Sequence, residues 1–523
     1  MNTAIVGNPL KNYIGGQWVD SLTTRFEDVP NPATGELLSR VPLSTREDVD
    51  KAVAAAKEAF VSWSATPVVD RARIMFRFHS LLVKHEDELA RMITMENGKN
   101  LPEAQAELLR GLEMVEFACG MPTLMMGETL PNIANSIDSQ VIRFPLGVVG
   151  GITPFNFPVM VPMWMYPIAI TAGNTFILKP SERTPLSSIR IAELLKEAGL
   201  PDGVFNVVNG AHDVVNGLLE HPDVKAISFV GSQPVAEYVY KTAAANGKRV
   251  QALAGAKNHH LVMPDTDLKR AAKTITSSAF GCAGERCMAA SAVVAVEEIA
   301  DELIAHLIEE ANALAMGNGL EEGIDLGPVI RDSHLSKVHD YIEKGVASGA
   351  ALVRDGREDA QKLPDGYFLG PTIFDKADAE MIIVRDEIFA PVLSVMRVKD
   401  FEEGLETISR SRFGNGATIY TNNGKWGREF VQQVEAGMVG VNVGVPAPMG
   451  FFAFSGWKQS FYGDLHANGK DGVLFFTKKK NGHIQMVRRW RYQHRLAKSF
   501  CKITAYEKEG GLCDGARTGD ERF

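Results

Sequence analysis

The chain has 523 residues, 45% of them hydrophobic, so it can bury a large core and divide into roughly two to four domains or subdomains. A formal net charge of −9 argues against a nucleic-acid surface over most of the molecule, and any anionic ligand must be met by local arginines. The cysteines Cys119, Cys282, Cys287, Cys501 and Cys513 make neither a disulfide framework nor a zinc-ligand spacing, and no signal peptide or bilayer-length apolar run is evident; a metal-free cytoplasmic protein, with no membrane partner, is expected.

Residues 13–44 read as short strands and turns, with Asn31-Pro-Ala-Thr-Gly35 as a turn between them. Helices follow. Thr45 caps a stretch reaching Trp63 with acids in its first turn, and similar apolar spacing runs from Val68 to Glu96 and from Pro102 to Gly120. Residues 126–145 read as an extended hairpin. From Gly147 to Gly255 apolar strands alternate with helices, the outline of a doubly wound parallel sheet. Such sheets bind ligands beyond the C-terminal ends of their strands, where this chain carries Thr153-Pro-Phe-Asn-Phe-Pro158, Lys179-Pro-Ser-Glu182 and Phe229-Val-Gly-Ser232. A second α/β series runs from Asp265 to about Pro446, and two such domains face one another across a cleft. Residues 470–477 read as a late strand. From Lys478 to Lys502 the chain is basic and free of acids; a disordered extension is expected there in preference to an arm for an acidic partner.

Cys287 stands in Phe280-Gly-Cys-Ala-Gly-Glu-Arg-Cys287-Met-Ala, on the first helix-to-strand connection of the second series. A cysteine between an arginine and small residues is a candidate covalent nucleophile, because its sulfur is electropositively flanked. Taken with Asn156 in Pro-Phe-Asn-Phe-Pro, Lys179 with Glu182, Gly231-Ser232, and Glu387-Ile-Phe-Ala-Pro-Val, it makes the chain resemble the aldehyde dehydrogenase superfamily from about Tyr13 to Thr477.

The resemblance implies an α/β fold with a Rossmann-type NAD domain, an α/β catalytic domain and a small β oligomerisation element. It gives Cys287 the role of the thiolate that attacks an aldehyde carbon, and Asn156 that of an amide donor to the resulting oxyanion. Lys179 and Glu182 fall to the adenosine ribose, where a carboxylate accepts both hydroxyls and disfavours a 2'-phosphate, so NAD is expected over NADP. Arg183, Thr153, Phe155 and Ala254 are further cofactor neighbours. Gly231 and Ser232 take the pyrophosphate at a helix N-terminus, Glu387 the nicotinamide ribose, and Phe389 packs nearby.

One position departs from the family pattern. Leu253 stands where most hydrolytic members carry the glutamate that activates water against the thioester, so another acceptor is expected for the acyl group. Coenzyme A suits, because a thiol supplies its own strong nucleophile near neutral pH. Three runs, Gly255-Ala-Lys257-Asn-His259, Gly284-Glu-Arg-Cys287-Met-Ala and Pro448-Met-Gly-Phe-Phe-Ala-Phe, resemble the CoA-acylating methylmalonate-semialdehyde dehydrogenases of valine and inositol catabolism. That likeness implies a substrate carrying a carboxylate, methylmalonate or malonate semialdehyde, and loss of carbon dioxide or bicarbonate before transfer to CoA. Arg110 and Arg286 are expected to hold the carboxylate; pairing of Arg286 with Glu285 or another acid, and of Arg110 with Glu107 or Glu113, is the alternative. His259 and His260 read as core histidines at a strand start rather than bases, and Cys282 as a thiol packed in a helix.

The expected domains are 1–125 with 146–255 for NAD, 256–456 for catalysis, 126–145 with 457–477 for assembly as a homotetramer or homodimer, and 478–523 as the basic tail. Two other readings stay open: an ordinary NAD-dependent aldehyde dehydrogenase releasing free acid, and a non-catalytic family member.

Overall fold

The computed structural model describes residues 8–361, 363 and 365–485. Contacts divide the described residues into two units, one reaching to 126 and covering 143–478, the other of 127–142 with the residues described after 478.

The larger unit is built on two large sheets, with two small two-stranded ones beside them. Its first has eight strands, in the order Gln17–Val19, Asn12–Ile14, Phe205–Val207, Thr175–Lys179, Val148–Ile152, Val224–Val230, Arg249–Leu253 and Phe461–Gly463. The five inner strands are parallel and the edges antiparallel. Strands such as Thr175–Lys179 are buried along their whole length, as a parallel sheet covered by helices on both faces requires. Strand order reverses beside Val148–Ile152, so the loops after it and after Val224–Val230 flank the crevice where such a sheet takes its ligand. The second sheet runs Ala351–Arg354, Thr372–Asp375, Val392–Val398, Ala290–Val296, Asn258–Val262, Gly416–Tyr420 and Met438–Val441, antiparallel only at its first pair.

The helices follow their sequence signals closely. Thr45 and Asp48 form the capping box of Arg46–Ala65. The apolar run from Val68 is two helices, Val68–Lys84 and Glu86–Asn97, meeting at His85. Asn100 accepts a hydrogen bond from the Glu103 amide to start Leu101–Cys119.

The late part of the chain differs from expectation. Residues Gly469–Phe475 are helical, with Asp471 in the first turn and Val473, Phe475 and Phe476 buried. The strand is displaced to Thr477–Gln485. Phe461–Gly463 and Trp457–Lys458 pair with strands of the larger unit instead of forming part of the hairpin's sheet. In the smaller unit, Glu128–Ala134 and Ile137–Pro145 form the expected antiparallel hairpin, and Thr477–Gln485 adds a third strand, so the basic segment begins as ordered structure. Cys501, Cys513 and the rest of the tail lie outside the described residues. Among the described residues no helix is long and apolar enough to cross a membrane, and no group of three or more His, Cys, Asp or Glu is placed to hold a metal ion.

Candidate active site

Cys287 follows a turn, Gly281–Gly284, that the backbone can make only by leaving the right-handed region: Cys282 and Ala283 both have φ of +52° and Gly284 has +69°. A side chain at Gly284 would begin 2.2 Å from the Ala390 carbonyl oxygen, so this close approach demands glycine. Cys282 therefore sits in a tight buried turn and not in the expected helix. Beyond the turn, the Cys287 carbonyl accepts from Asn258 Nδ2 at 2.9 Å and Asn415 Nδ2 at 3.0 Å. These two amides tie the cysteine backbone to the second sheet. Neither is expected from sequence, although Asn258 lies inside the run that follows Leu253.

Asn156 is buried, and its Nδ2 donates to the Glu285 carbonyl at 3.0 Å, which places the amide against the backbone just before Cys287. Its own loop is fixed by a fully buried ion pair. Lys99 Nζ donates to Glu107 Oε2 and to the Asn156 carbonyl, both at 2.6 Å, and lies 3.9 Å from the centre of the Phe157 ring. Glu107 Oε1 in turn accepts from the amides of Val159 and Met160 at 2.9 and 3.1 Å. The pair thus holds the asparagine loop at both ends.

Two cavities meet at Arg286 and Cys287. The larger, about 240 Å³, is walled by one face of Leu101–Cys119 carrying Glu103, Arg110 and Met114, with Trp164 and Phe454 among its apolar lining. Both arginines reach this wall already partnered. Arg110 pairs with Glu113 at 2.9 Å; Arg286 Nη2 donates to Cys282 Sγ at 3.2 Å and lies 3.6 Å from Glu103 Oε1. The smaller cavity brings Cys287 together with Lys257, Glu387 and Phe389. Glu387 Oε1 accepts from the Ala256 amide at 2.9 Å, and Gly255 leaves the room: a side chain there would begin 2.6 Å from Glu387 Oε2.

Burial pushes the Cys287 thiol up to about 12, and the Glu387 charge adds to this while Arg286 opposes it. Burial likewise raises the Glu387 carboxyl to about 7 against the Ala256 hydrogen bond and Lys257. The sign gives a test: Glu387→Gln removes the like charge and lowers the thiol pKa. Alkylation of Cys287 by iodoacetamide at pH 8.5 should then be faster than in the wild type, about tenfold for each unit the pKa falls. An unchanged or slower rate would show that Glu387 does not hold the thiol protonated. His259 and His260 are buried, and burial lowers them to about 4 and about 3, so they are neutral near pH 7.

The residues assigned to the cofactor surround the crevice of the first sheet. Lys179 Nζ donates to Glu182 Oε2 at 2.8 Å just beyond its strand. Burial opposes the Glu182 charge, but Lys179 and then Arg183 outweigh it and hold the carboxyl below its usual range. Arg183 itself pairs with Glu27. The Thr153 amide donates to the Lys179 carbonyl at 3.1 Å, tying the two loops together. The Phe155 carbonyl accepts from Asn97 and Thr184, and its ring meets Phe389 edge-on at 5.9 Å. The Gly231 amide donates to the Leu253 carbonyl, and Ser232 starts helix Gln233–Ala245 without a side-chain cap, leaving first-turn amides for phosphate oxygens. Ala254 is fixed through its amide to the Ser460 carbonyl. A lysine donor beside a carboxylate acceptor, together with an uncapped helix start, suits a ribose diol and a pyrophosphate, so these residues fit NAD. Leu253 is buried and offers no carboxylate.

The model of the aldehyde dehydrogenase family matches residues 18–481. Malonate-semialdehyde dehydrogenase 1 of Geobacillus thermodenitrificans is 65% identical over 481 residues, 92% of this chain and 99% of the relative. The crystal structure of a methylmalonate-semialdehyde dehydrogenase from Oceanimonas doudoroffii superposes with a TM-score of 0.90 at 48% identity, covering 92% of this chain and 99% of that one. The NAD complex of a Sinorhizobium meliloti protein assigned as a methylmalonate-semialdehyde dehydrogenase gives 0.91 at 44% identity, covering 92% and 98%.

Proposed function

The chain belongs to the aldehyde dehydrogenase family, and from that membership we propose NAD-dependent, CoA-acylating oxidation of malonate and methylmalonate semialdehyde to acetyl-CoA and propanoyl-CoA. The observation that carries the reading is the larger cavity, which Arg110, Arg286 and Cys287 all line.

In this reading the substrate carboxylate docks on the two arginines and presents its aldehyde carbon to Cys287. The thiolate adds to that carbon, and the Asn156 amide turns from the Glu285 carbonyl to the oxyanion of the thiohemiacetal. Bound NAD supplies the hydride acceptor, held by Lys179, Glu182, Ser232 and Glu387. A thioester then remains on Cys287. Its carbonyl, still facing Asn156, accepts the electron pair released when the β-carboxylate departs as carbon dioxide or bicarbonate, and a proton from water then returns to the α-carbon to restore the acyl thioester. The CoA thiolate attacks the remaining acyl group and expels the Cys287 thiolate. Leu253, buried and apolar, gives no carboxylate to activate water in its place. Assembly as a homodimer or homotetramer through the hairpin sheet, in the cytoplasm, completes the proposal.

The product decides it. With methylmalonate semialdehyde, NAD and excess CoA, mass spectrometry should find propanoyl-CoA equal in amount to the NADH formed. Free acid matching the NADH, with no acyl-CoA, would replace the reading by a hydrolytic dehydrogenase.

A further inference from the structure

We propose that Glu103 is a positioning residue that aims Arg286 at the substrate carboxylate; this deepens the carboxylate reading of the larger cavity and rests on it. Glu103 occupies the third position of helix Leu101–Cys119, where a glutamate following an asparagine cap ordinarily folds back on its own helix start. Here the side chain turns to the Gly281–Gly284 turn instead. Its Oε1 accepts the Cys282 amide at 2.7 Å and lies 3.6 Å from Arg286 Nη2. The same Nη2 donates to Cys282 Sγ at 3.2 Å. Glu103, Cys282 and Arg286 therefore close a small ring in which one carboxylate oxygen fixes both the left-handed turn and the guanidinium.

The packing around the ring is tight. A side chain at Gly281 would begin 3.0 Å from both Arg286 Nη2 and Glu103 Oε1, so glycine at this position leaves the space in which the two groups meet. The side chains of Arg286 and Glu103 are 21% and 17% exposed, so water screens their attraction only weakly. An arginine carries five donors, and a single carboxylate with one thiol leaves several of them for a ligand in the cavity. Glu103 thus supplies geometry without saturating the fork. Glu107, four residues on, is committed to Lys99 and the asparagine loop, and Arg110, seven on, lines the same cavity. One helix face accordingly carries the loop anchor, one carboxylate receptor and the residue that sets the other.

The test separates aiming from plain stability. In the full-length protein, Glu103→Ala should raise KM for malonate semialdehyde about tenfold or more, the size expected when a charge-assisted contact to a carboxylate is lost. Because Glu103 also holds the Cys282 turn ahead of Cys287, some activity on propanal is lost as well, but kcat/KM should fall at least about tenfold further for malonate semialdehyde than for propanal. Glu103→Asp keeps the charge but shortens the reach, and should give a smaller rise confined to the same substrate, which also decides the matter if the alanine variant does not fold. In an Arg286→Ala background, Glu103→Ala should no longer discriminate between malonate semialdehyde and propanal. Equal losses on malonate semialdehyde and propanal, or discrimination that persists in the Arg286→Ala background, would overturn the role of Glu103 alone. A wild-type enzyme with no preference for malonate semialdehyde over propanal would instead overturn the carboxylate reading, and the role of Glu103 with it.

Discussion

Withholding CoA should reduce steady NADH formation from methylmalonate semialdehyde by about 100-fold to 10,000-fold, while leaving a rapid burst of one NADH per active site. The burst survives because thiol addition and hydride transfer precede any need for CoA. Turnover fails because the thioester on Cys287 must then wait for water. At the position of the family's water-activating glutamate stands Leu253, buried at the end of Arg249–Leu253. The buried histidines His259 and His260 give no substitute, since neither lines either cavity at Cys287. Glu387 is the carboxylate that shares the smaller cavity with Cys287, and the Ala256 amide engages its Oε1. Rapid-mixing absorbance at 340 nm with and without CoA measures both phases. Equal steady rates would refute acyl transfer to CoA.

Replacing Lys99 by methionine should destabilise the protein by about 3–5 kcal/mol, because it strands the Glu107 carboxylate in the interior without its counter-charge. Both side chains are fully buried, and Lys99 makes two contacts of 2.6 Å, one of them to the carbonyl of Asn156. The two loop amides on Glu107 Oε1 remain but carry no charge, so they only partly offset the loss. The double variant Lys99→Met with Glu107→Gln should recover part of the stability, since no buried charge is left unpaired. Denaturant titration followed by tryptophan fluorescence gives both values. A loss below about 1 kcal/mol in the single variant would mean that water or a rearranged neighbour compensates Glu107. Activity should fall in both variants, because the loop that aims Asn156 loses its anchor.

Much of the site is legible in the order of residues along the chain. The strand-end positions of Asn156, Lys179, Glu182 and Ser232 follow from a parallel sheet whose ligands must lie beyond its C-terminal edge. Cys287 stands out as a candidate nucleophile only when its small and basic neighbours are taken together with the Asn156, Lys179 and Glu387 motifs. Other features carry no local signal. Lys99 and Glu107 look like ordinary helix charges, and nothing near them in the chain says that they are fully buried against a loop some fifty residues away. Asn258 and Asn415 reach the Cys287 carbonyl from positions far apart in the chain. The segment Gly469–Phe475 reads as a strand because a short apolar run suits either state, yet it folds as a helix whose Val473 and Phe475 are buried within the larger unit.

Residue type, at places that local periodicity defines, is thus enough for the sheet pattern and for Cys287 as a candidate, while the roles of Asn156 and the cofactor loops and the meaning of Leu253 are what the resemblance to the family implies. Which charges face which is settled only once the chain is folded. Arg286 meets Glu103 rather than its neighbour Glu285, Arg110 meets Glu113, and Glu387 shares a cavity with Cys287. The physical reason is that electrostatic partnership depends on distance and burial in space, and a turn such as Gly281–Gly284, with its left-handed backbone, redirects side chains in a way that no spacing along the chain records.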